Sequence, residues 1–407
     1  MASGVPRNRA SGSAHRRAKR ARTQPEAPPL VGDWAGLPSG PAGLVAERVL
    51  AGDVADYARF RAVCTAWRAC CPDPRAHGVL DRRFHPRHWI MLPRGAAPDD
   101  DDDGDDRRRL LNVRTGERVR VRLPDPRRHV VLGPTAEGLV VLCRKGTLAV
   151  RLLNPLTGQL ADFPSAATMA DGGAAGGFET TASVLDELRL VSAGLAGEST
   201  LALHFSFSVL AVAEPGDTRW TQVDNPDGEI VSAMPFAGRF YCSTYDNITV
   251  LDTTAGEQPP CLAPAAAGFE LDKWLGRQLI QPMEPYLAEI DGELVLIANG
   301  TSEDCKAYRV RMDGAAKPAA ATPRLELGAA AVFVGVHGGR AVTVPAALCR
   351  SISADAVYFC CRERGDHRAK VRACHLVDGR IVNHRRKKSP SSMADYLACY
   401  VTEIQDW

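Results

Sequence analysis

A β-propeller of roughly six or seven blades behind a small all-helical module is the architecture this chain predicts, and three observations carry it. Helical spacing of apolar residues runs from Asp33 to Pro72 and then fades. Beyond about residue 88, short apolar runs alternate with turn signals. Two stretches there repeat. LLNVRTGERVRVRLP begins at Leu110 and LLNPLTGQLADFP at Leu152, both reading L-L-N-x-x-T-G at an offset of 42 residues. That offset is the length of a propeller blade. VLDTTAGEQ, from Val250, is a weaker echo. A β-sandwich with similar hairpins is the alternative architecture.

In chain order the first element is a tail, residues 1–32. Residues 1–30 hold seven Lys/Arg against the single Glu26 and almost no large apolar side chains, a composition that predicts disorder. Arg16, Arg17, Lys19, Arg20 and Arg22 read either as a solvated basic tail or as a nuclear localisation signal. The formal net charge of the whole chain is only +2, so nothing marks a globally basic nucleic-acid binder. No apolar h-region follows the start and no 18-residue apolar run occurs, so neither a secretory signal nor a membrane span is expected. Twelve cysteines in 407 residues are too sparse for a disulfide-stapled domain, and reduced thiols in the nucleus, the cytoplasm or both are predicted.

The helical module occupies residues 33–75. LVAERVL (44–50) has apolar residues at its two ends. YARFRAVCTAWRACC (57–71) has them at 57, 60, 63, 64, 67, 70 and 71, one side of a single helix that Pro72 stops. Arg59, Arg61, Thr65 and Arg68 fall largely on the other side. No C-x-x-C occurs, so zinc spacing is absent and the thiols read as buried or interfacial. A segment of about 40 residues rarely sustains its own core, so its apolar surplus calls for a partner: another protein, or the β domain as a cap.

The β domain spans residues 88–385. GLVVLC (138–143), TLAVRLLN (147–154), GRFYCSTYDNITVLD (238–252) and AVYFCC (356–361) supply apolar runs. Asp-Gly sits between alternating flanks in YLAEIDGELVLI (286–297) and ACHLVDGRIV (373–382), which predicts two hairpins with two-residue turns. Residues 386–407 form a separate C-terminal segment, preceded by the basic run HRRKKSP (384–390), a surface loop or a second import element.

Nothing in this chain assembles a catalytic motif. DDDDDGDD (99–106) matches the first half of a calcium loop, but the twelfth position is Leu110 where a bidentate Glu is required. DGGAAGG (171–177) lacks phosphate-loop spacing and reads as an inter-strand loop. Cys374 and His375 are strand neighbours and point opposite ways. No enzyme, metal or cofactor is expected.

DWAGLP…LVAERVL…DYARFRAVCTAWR resembles an F-box, opened by Leu37-Pro38 and closed by RFRAVC-x-x-WR. The LNP-x-TG repeat and Y-L-x-E-x-D-G-E-L-x-x-I (286–297) resemble the large plant family of F-box proteins with a C-terminal KIB-type propeller domain. The resemblance covers residues 33–385. It implies the substrate receptor of an SCF-type cullin–RING ubiquitin ligase, with the F-box on a Skp-type adaptor and the propeller on the protein to be ubiquitinated. By motif, Leu37, Pro38, Leu44, Val45, Val49 and Leu50 would lie at or beside the adaptor. Phe60, Val63, Cys64 and Trp67 would form the module's core and its remaining interface. Ubiquitin transfer would belong to other subunits.

One departure follows the Leu-Pro. Ser39-Gly40-Pro41-Ala42-Gly43 stands where the family has leucines and an acid, which predicts a first helix that starts late and loses adaptor contacts. The competing reading is a nuclear protein- or nucleic-acid-binding scaffold with a degenerate F-box. The second helix offers no polar set suited to reading bases, so a nucleic-acid partner is not expected.

Overall fold

Strands take over from helices at Trp89. The computed structural model describes residues 34–93, 107–172, 189–206, 209–225, 228–253, 259–265, 284–299, 305–312, 318–324, 326–335, 340–362, 369–385 and 392–402. The tail 1–32, the acidic run 99–106, and most of the Gly-rich and second basic stretches lie outside them.

Six sheets follow one another around a ring as the blades of a propeller. Blade 1 has three strands, β1 (Trp89–Met91), β2 (Arg107–Asn112) and β3 (Arg118–Arg122). Blade 2 has β4 (His129–Pro134), β5 (Val140–Arg144), β6 (Ala149–Leu153) and β7 (Leu160–Ser165). Blade 3 has β8 (Leu190–Ala196), β9 (Thr200–Phe205), β10 (Val209–Ala213) and β11 (Thr221–Val223). Blade 4 has β12 (Ser232–Phe236), β13 (Arg239–Ser243), β14 (Ile248–Asp252) and β15 (Cys261–Pro264). Blade 5 has β16 (Glu284–Ile290), β17 (Glu293–Asn299), β18 (Cys305–Met312) and β19 (Pro318–Arg324).

Blade 6 has five strands in the order β21-β20-β22-β23-β24. They are β20 (Ala330–Gly335), β21 (Ala341–Pro345), β22 (Ala356–Arg362), β23 (Ala369–His375) and β24 (Ile381–Arg385). Its β20 and β22 run parallel, while the other strand pairs are antiparallel. β4, β8, β12, β16 and β21 are neighbours around the axis.

Apolar side chains between successive sheets hold the ring. Leu139, Val141 and Leu152 of blade 2 meet Leu201, Leu203 and Phe205 of blade 3, and further clusters join blades 3 and 4, 4 and 5, and 5 and 6. The last junction differs. Trp89 and Leu111 of blade 1, Leu142 of blade 2, and Phe333 and Tyr358 of blade 6 share one cluster with a C-terminal helix. Phe333 and Tyr358 stack with centroids 4.4 Å apart. After the three helices of the N-terminal module, α1 (Ser39–Gly52), α2 (Val54–Val63) and α3 (Thr65–Ala69), this helix is α4 and spans Met393–Thr402. Ser392 and Asp395 cap it reciprocally: each backbone N–H donates to the other's side chain, at 2.9 and 3.2 Å. Met393, Tyr396, Leu397, Tyr400 and Val401 are buried and fill the angle beside three-stranded blade 1. Residues after 385 thus supply an element of the ring that the sequence reading left without structure.

The two Asp-Gly sites differ. Asp291 and Gly292 both have positive φ and form a two-residue turn between β16 and β17, as expected. Asp378-Gly379 instead lies in a five-residue connection, closed by His375 N–H to the Arg380 carbonyl and Gly379 N–H to the His375 carbonyl. Only Gly379 has positive φ there, so a two-residue turn of that type does not form.

Two buried histidines make the fold acid-sensitive. His204, on the face of β9 toward blade 4, has neither ring nitrogen hydrogen-bonded, and burial pushes it down to about 4. Burial does the same to His85, whose Nε2 lies 3.0 Å from the Val79 carbonyl. Both folded-state values lie below the ordinary 6.5, so between 6.5 and 4 the unfolded chain binds protons that the fold refuses. Stability from these groups is full above 6.5 and falls as the pH drops, by about 3 kcal/mol each at the acid end. His204→Leu is expected to flatten roughly half of that decline in denaturant unfolding measured across the range.

A candidate docking surface on the helical module

Pro38 sets the start of the first helix. α1 spans Ser39–Gly52, α2 Val54–Val63 and α3 Thr65–Ala69. The late start expected of α1 is not found: the Ala42 N–H already donates to the Pro38 carbonyl at 3.1 Å. Pro41 falls within the first turn, where a missing N–H leaves no bond unmade, so the helix loses nothing by it.

The single helix read over 57–71 is also corrected. Cys64 is extended (φ −154°, ψ 169°) and separates α2 from α3. Its sulfur accepts from the Trp67 N–H at 3.4 Å, serving as the cap of α3. The break brings the carbonyls after α3 back onto α2. Arg61, placed on the solvent side by helical spacing, is buried and donates to the carbonyls of Arg68, Cys71 and Pro72, with Asp73 3.2 Å away. The Tyr57 hydroxyl donates to the Pro72 carbonyl at 2.7 Å. The module core is Ala46, Val54, Tyr57, Phe60, Cys71 and Phe84. Phe60 and Trp67 stack at 4.3 Å. Burial, aided by the neighbouring Cys70 thiol, pushes Cys71 up to about 11.

The residues singled out by motif divide into two sets. Phe60 is buried, while Leu37, Val49, Leu50, Cys64 and Trp67 are half-buried. Leu44 (65% exposed), Val45 (44%) and Val63 (62%) face solvent, as does Pro38. Trp34, which spacing did not single out, is 68% exposed, and its carbonyl accepts from Trp67 Nε1 at 3.0 Å. Four of the six large apolar residues that are exposed among the described ones therefore belong to this short module. Exposed apolar groups concentrated in so short a module make it the candidate docking surface.

The module is bound to the propeller by the repeat itself. Asn112 and Asn154, the Asn of the two L-L-N-x-x-T-G copies, close the same turn in blades 1 and 2. Each Oδ1 accepts from the N–H groups two and three residues on, at 2.9 to 3.2 Å. Each Nδ2 then reaches outward: Asn112 to Asp53 Oδ2 at 2.9 Å, Asn154 to the Phe84 carbonyl at 2.8 Å. Asp53 also accepts from Trp89 Nε1 at 2.8 Å, while its other oxygen caps α2 through the Ala55 N–H at 2.7 Å. Arg59 pairs with Glu117 in the blade 1 turn.

The connector continues over neighbouring hairpins. Arg82 donates to the Gly197 carbonyl of blade 3, and Pro86 and Trp89 press on Gly138 of blade 2. A Cβ on Gly138 would lie 2.2 Å from the Pro86 oxygen, and its φ is +82°, so only glycine fits that crossing. Burial raises Glu137 and Glu289, on blades 2 and 5, and Arg87 lies close enough to both carboxylates to pull weakly the other way.

Fold and surface together define a six-bladed β-propeller with a helical module fixed to the hairpin ends of its first blades. A family model, the KIB1-4 beta-propeller, matches residues 106–385. The chain belongs to that family. No curated protein matches it. Solved structures are similar at low identity. The N-terminal domain of Nup159 is 10% identical, with 62% of this chain and 60% of that one covered and a TM-score of 0.28, so the chain spans less than two thirds of that domain. YCF48 from Cyanidioschyzon merolae is 10% identical over 69% and 80%, at 0.33. The Cps50 (Swd1) β-propeller domain of Myceliophteria thermophila is 11% identical over 74% and 100%, at 0.31.

Proposed function

We propose that the chain is the substrate-receptor subunit of an SCF-type cullin–RING ubiquitin ligase. The helical module is an F-box that docks on a Skp-type adaptor, and the propeller holds the protein to be ubiquitinated. One observation carries the reading: Leu44, Val45, Val63 and Trp34 stay in water on a module whose own core, Ala46, Val54, Tyr57, Phe60, Cys71 and Phe84, is already packed. A helical cap serving the propeller alone would turn such residues inward. The receptor has no chemistry of its own and works in the nucleus, the cytoplasm or both. The end of the propeller away from the module is the place for the substrate, because the module and connector occupy the other end.

Purified full-length protein is expected to co-elute with a Skp-type adaptor. Leu44→Glu replaces an exposed side chain, so it leaves the unfolding midpoint unchanged and weakens that complex tenfold or more. Failure of the intact chain to bind any adaptor would remove the ligase reading and leave the degenerate-F-box scaffold in its place.

A further inference from the structure

Two thiols meet where blade 5 packs on blade 6. Cys305 opens β18 and lies directly across from Asn299 of β17, on the same face of the sheet. On β23, Arg372 and Cys374 are two residues apart and share a face. The Arg372 guanidinium donates to Asn299 Oδ1 across the blade boundary, which lays these two faces against each other. Cys305 and Cys374 accordingly fall in one apolar cluster, and their side chains are hydrogen-bonded. Neither is in a disulfide; Cys374 is buried and Cys305 half-buried.

We propose that Cys305 and Cys374 are an oxidative modification site, closed by a peroxide-class oxidant into a disulfide that joins blade 5 to blade 6. The Cys305 thiolate attacks one peroxide oxygen, forming an S–O bond and breaking the O–O bond. The hydroxide that leaves takes up the proton Cys305 gave and becomes water. The Cys374 sulfur then attacks the sulfenic sulfur of Cys305, forming the S–S bond and expelling the oxygen, which departs as a second water with the Cys374 proton. Two thiols lose two electrons, and one peroxide is reduced to two waters. The Cys374 thiol and burial hold the Cys305 proton above the usual thiol range, with Arg372 pulling the other way. The reaction is therefore slow at neutral pH and quickens as the pH rises.

Treatment of the full chain with a small excess of hydrogen peroxide, digestion without reductant and mass spectrometry test the assignment. The expected product is a Cys305–Cys374 linked peptide. It should come with a rise of roughly 5 °C or more in the unfolding midpoint, reversed by dithiothreitol. Cys305→Ser, at a half-buried position, keeps the fold and loses both signals. Cys261→Ser, at an exposed strand position, keeps both. Recovery of Cys305 and Cys374 as alkylatable thiols after oxidation, arrest of Cys305 as its sulfinic acid, or its linkage to a different cysteine would each overturn the proposal.

Discussion

Leu397→Ala is expected to cost about 2–5 kcal/mol in denaturant unfolding. Leu397 is fully buried in the cluster that includes Trp89 and Leu111 of blade 1 and Phe333 and Tyr358 of blade 6. Its neighbours on α4, Tyr396, Tyr400 and Val401, are buried with it, so the cavity cannot collapse by turning the helix. At the other blade junctions the apolar side chains come mainly from strands and the loops beside them. This one includes a short helix that lies outside the sheets and buries Tyr396, Leu397, Tyr400 and Val401 in the shared cluster. Leu397→Met conserves volume and should lose less than about 1.5 kcal/mol. An Ala variant with an unchanged midpoint would mean that α4 melts separately from the ring.

Asp53→Ala should destabilise by about 3–7 kcal/mol, with contributions from three broken contacts. The α2 cap accounts for about 1 kcal/mol. Trp89 Nε1 and Asn112 Nδ2 belong to buried side chains, and leaving each donor unpaired costs about 1–3 kcal/mol. Asp53→Asn retains an acceptor for the cap and gives up the charge, so about half the loss is expected. Limited proteolysis adds a second readout, since a loosened module should expose the connector 70–88 before the propeller itself is cut. Equal digestion rates for the wild type and the Ala variant would show that the packing in the Phe84 cluster suffices without Asp53.

Local chemistry made most of the fold legible. The 42-residue offset of Asn112 and Asn154 marks neighbouring blades, because an Asn that closes its own turn and a Gly with positive φ are a short-range device. Asp291-Gly292 is another. What escaped was tertiary. Arg61 falls on the polar side of any continuous helix. Only the break at Cys64 delivers the carbonyls that draw it inward. Likewise, hydrophobicity cannot separate Leu44 and Val63, which stay exposed, from Phe60, which is covered by Trp67. α4 was within reach of pattern alone. Met393, Tyr396, Leu397, Tyr400 and Val401 keep helical spacing behind a Ser-x-x-Asp start, a signal easily passed over after a basic run that reads as a loop.

The connector from Asp53 to Trp89 touches the hairpins of three successive blades on its way into the ring. A tether stitched at that many points does not swing. If a partner docks on Leu44 and Val63 as proposed, it would be carried at a constant angle to the far rim, on a bracket whose span is built in from the start.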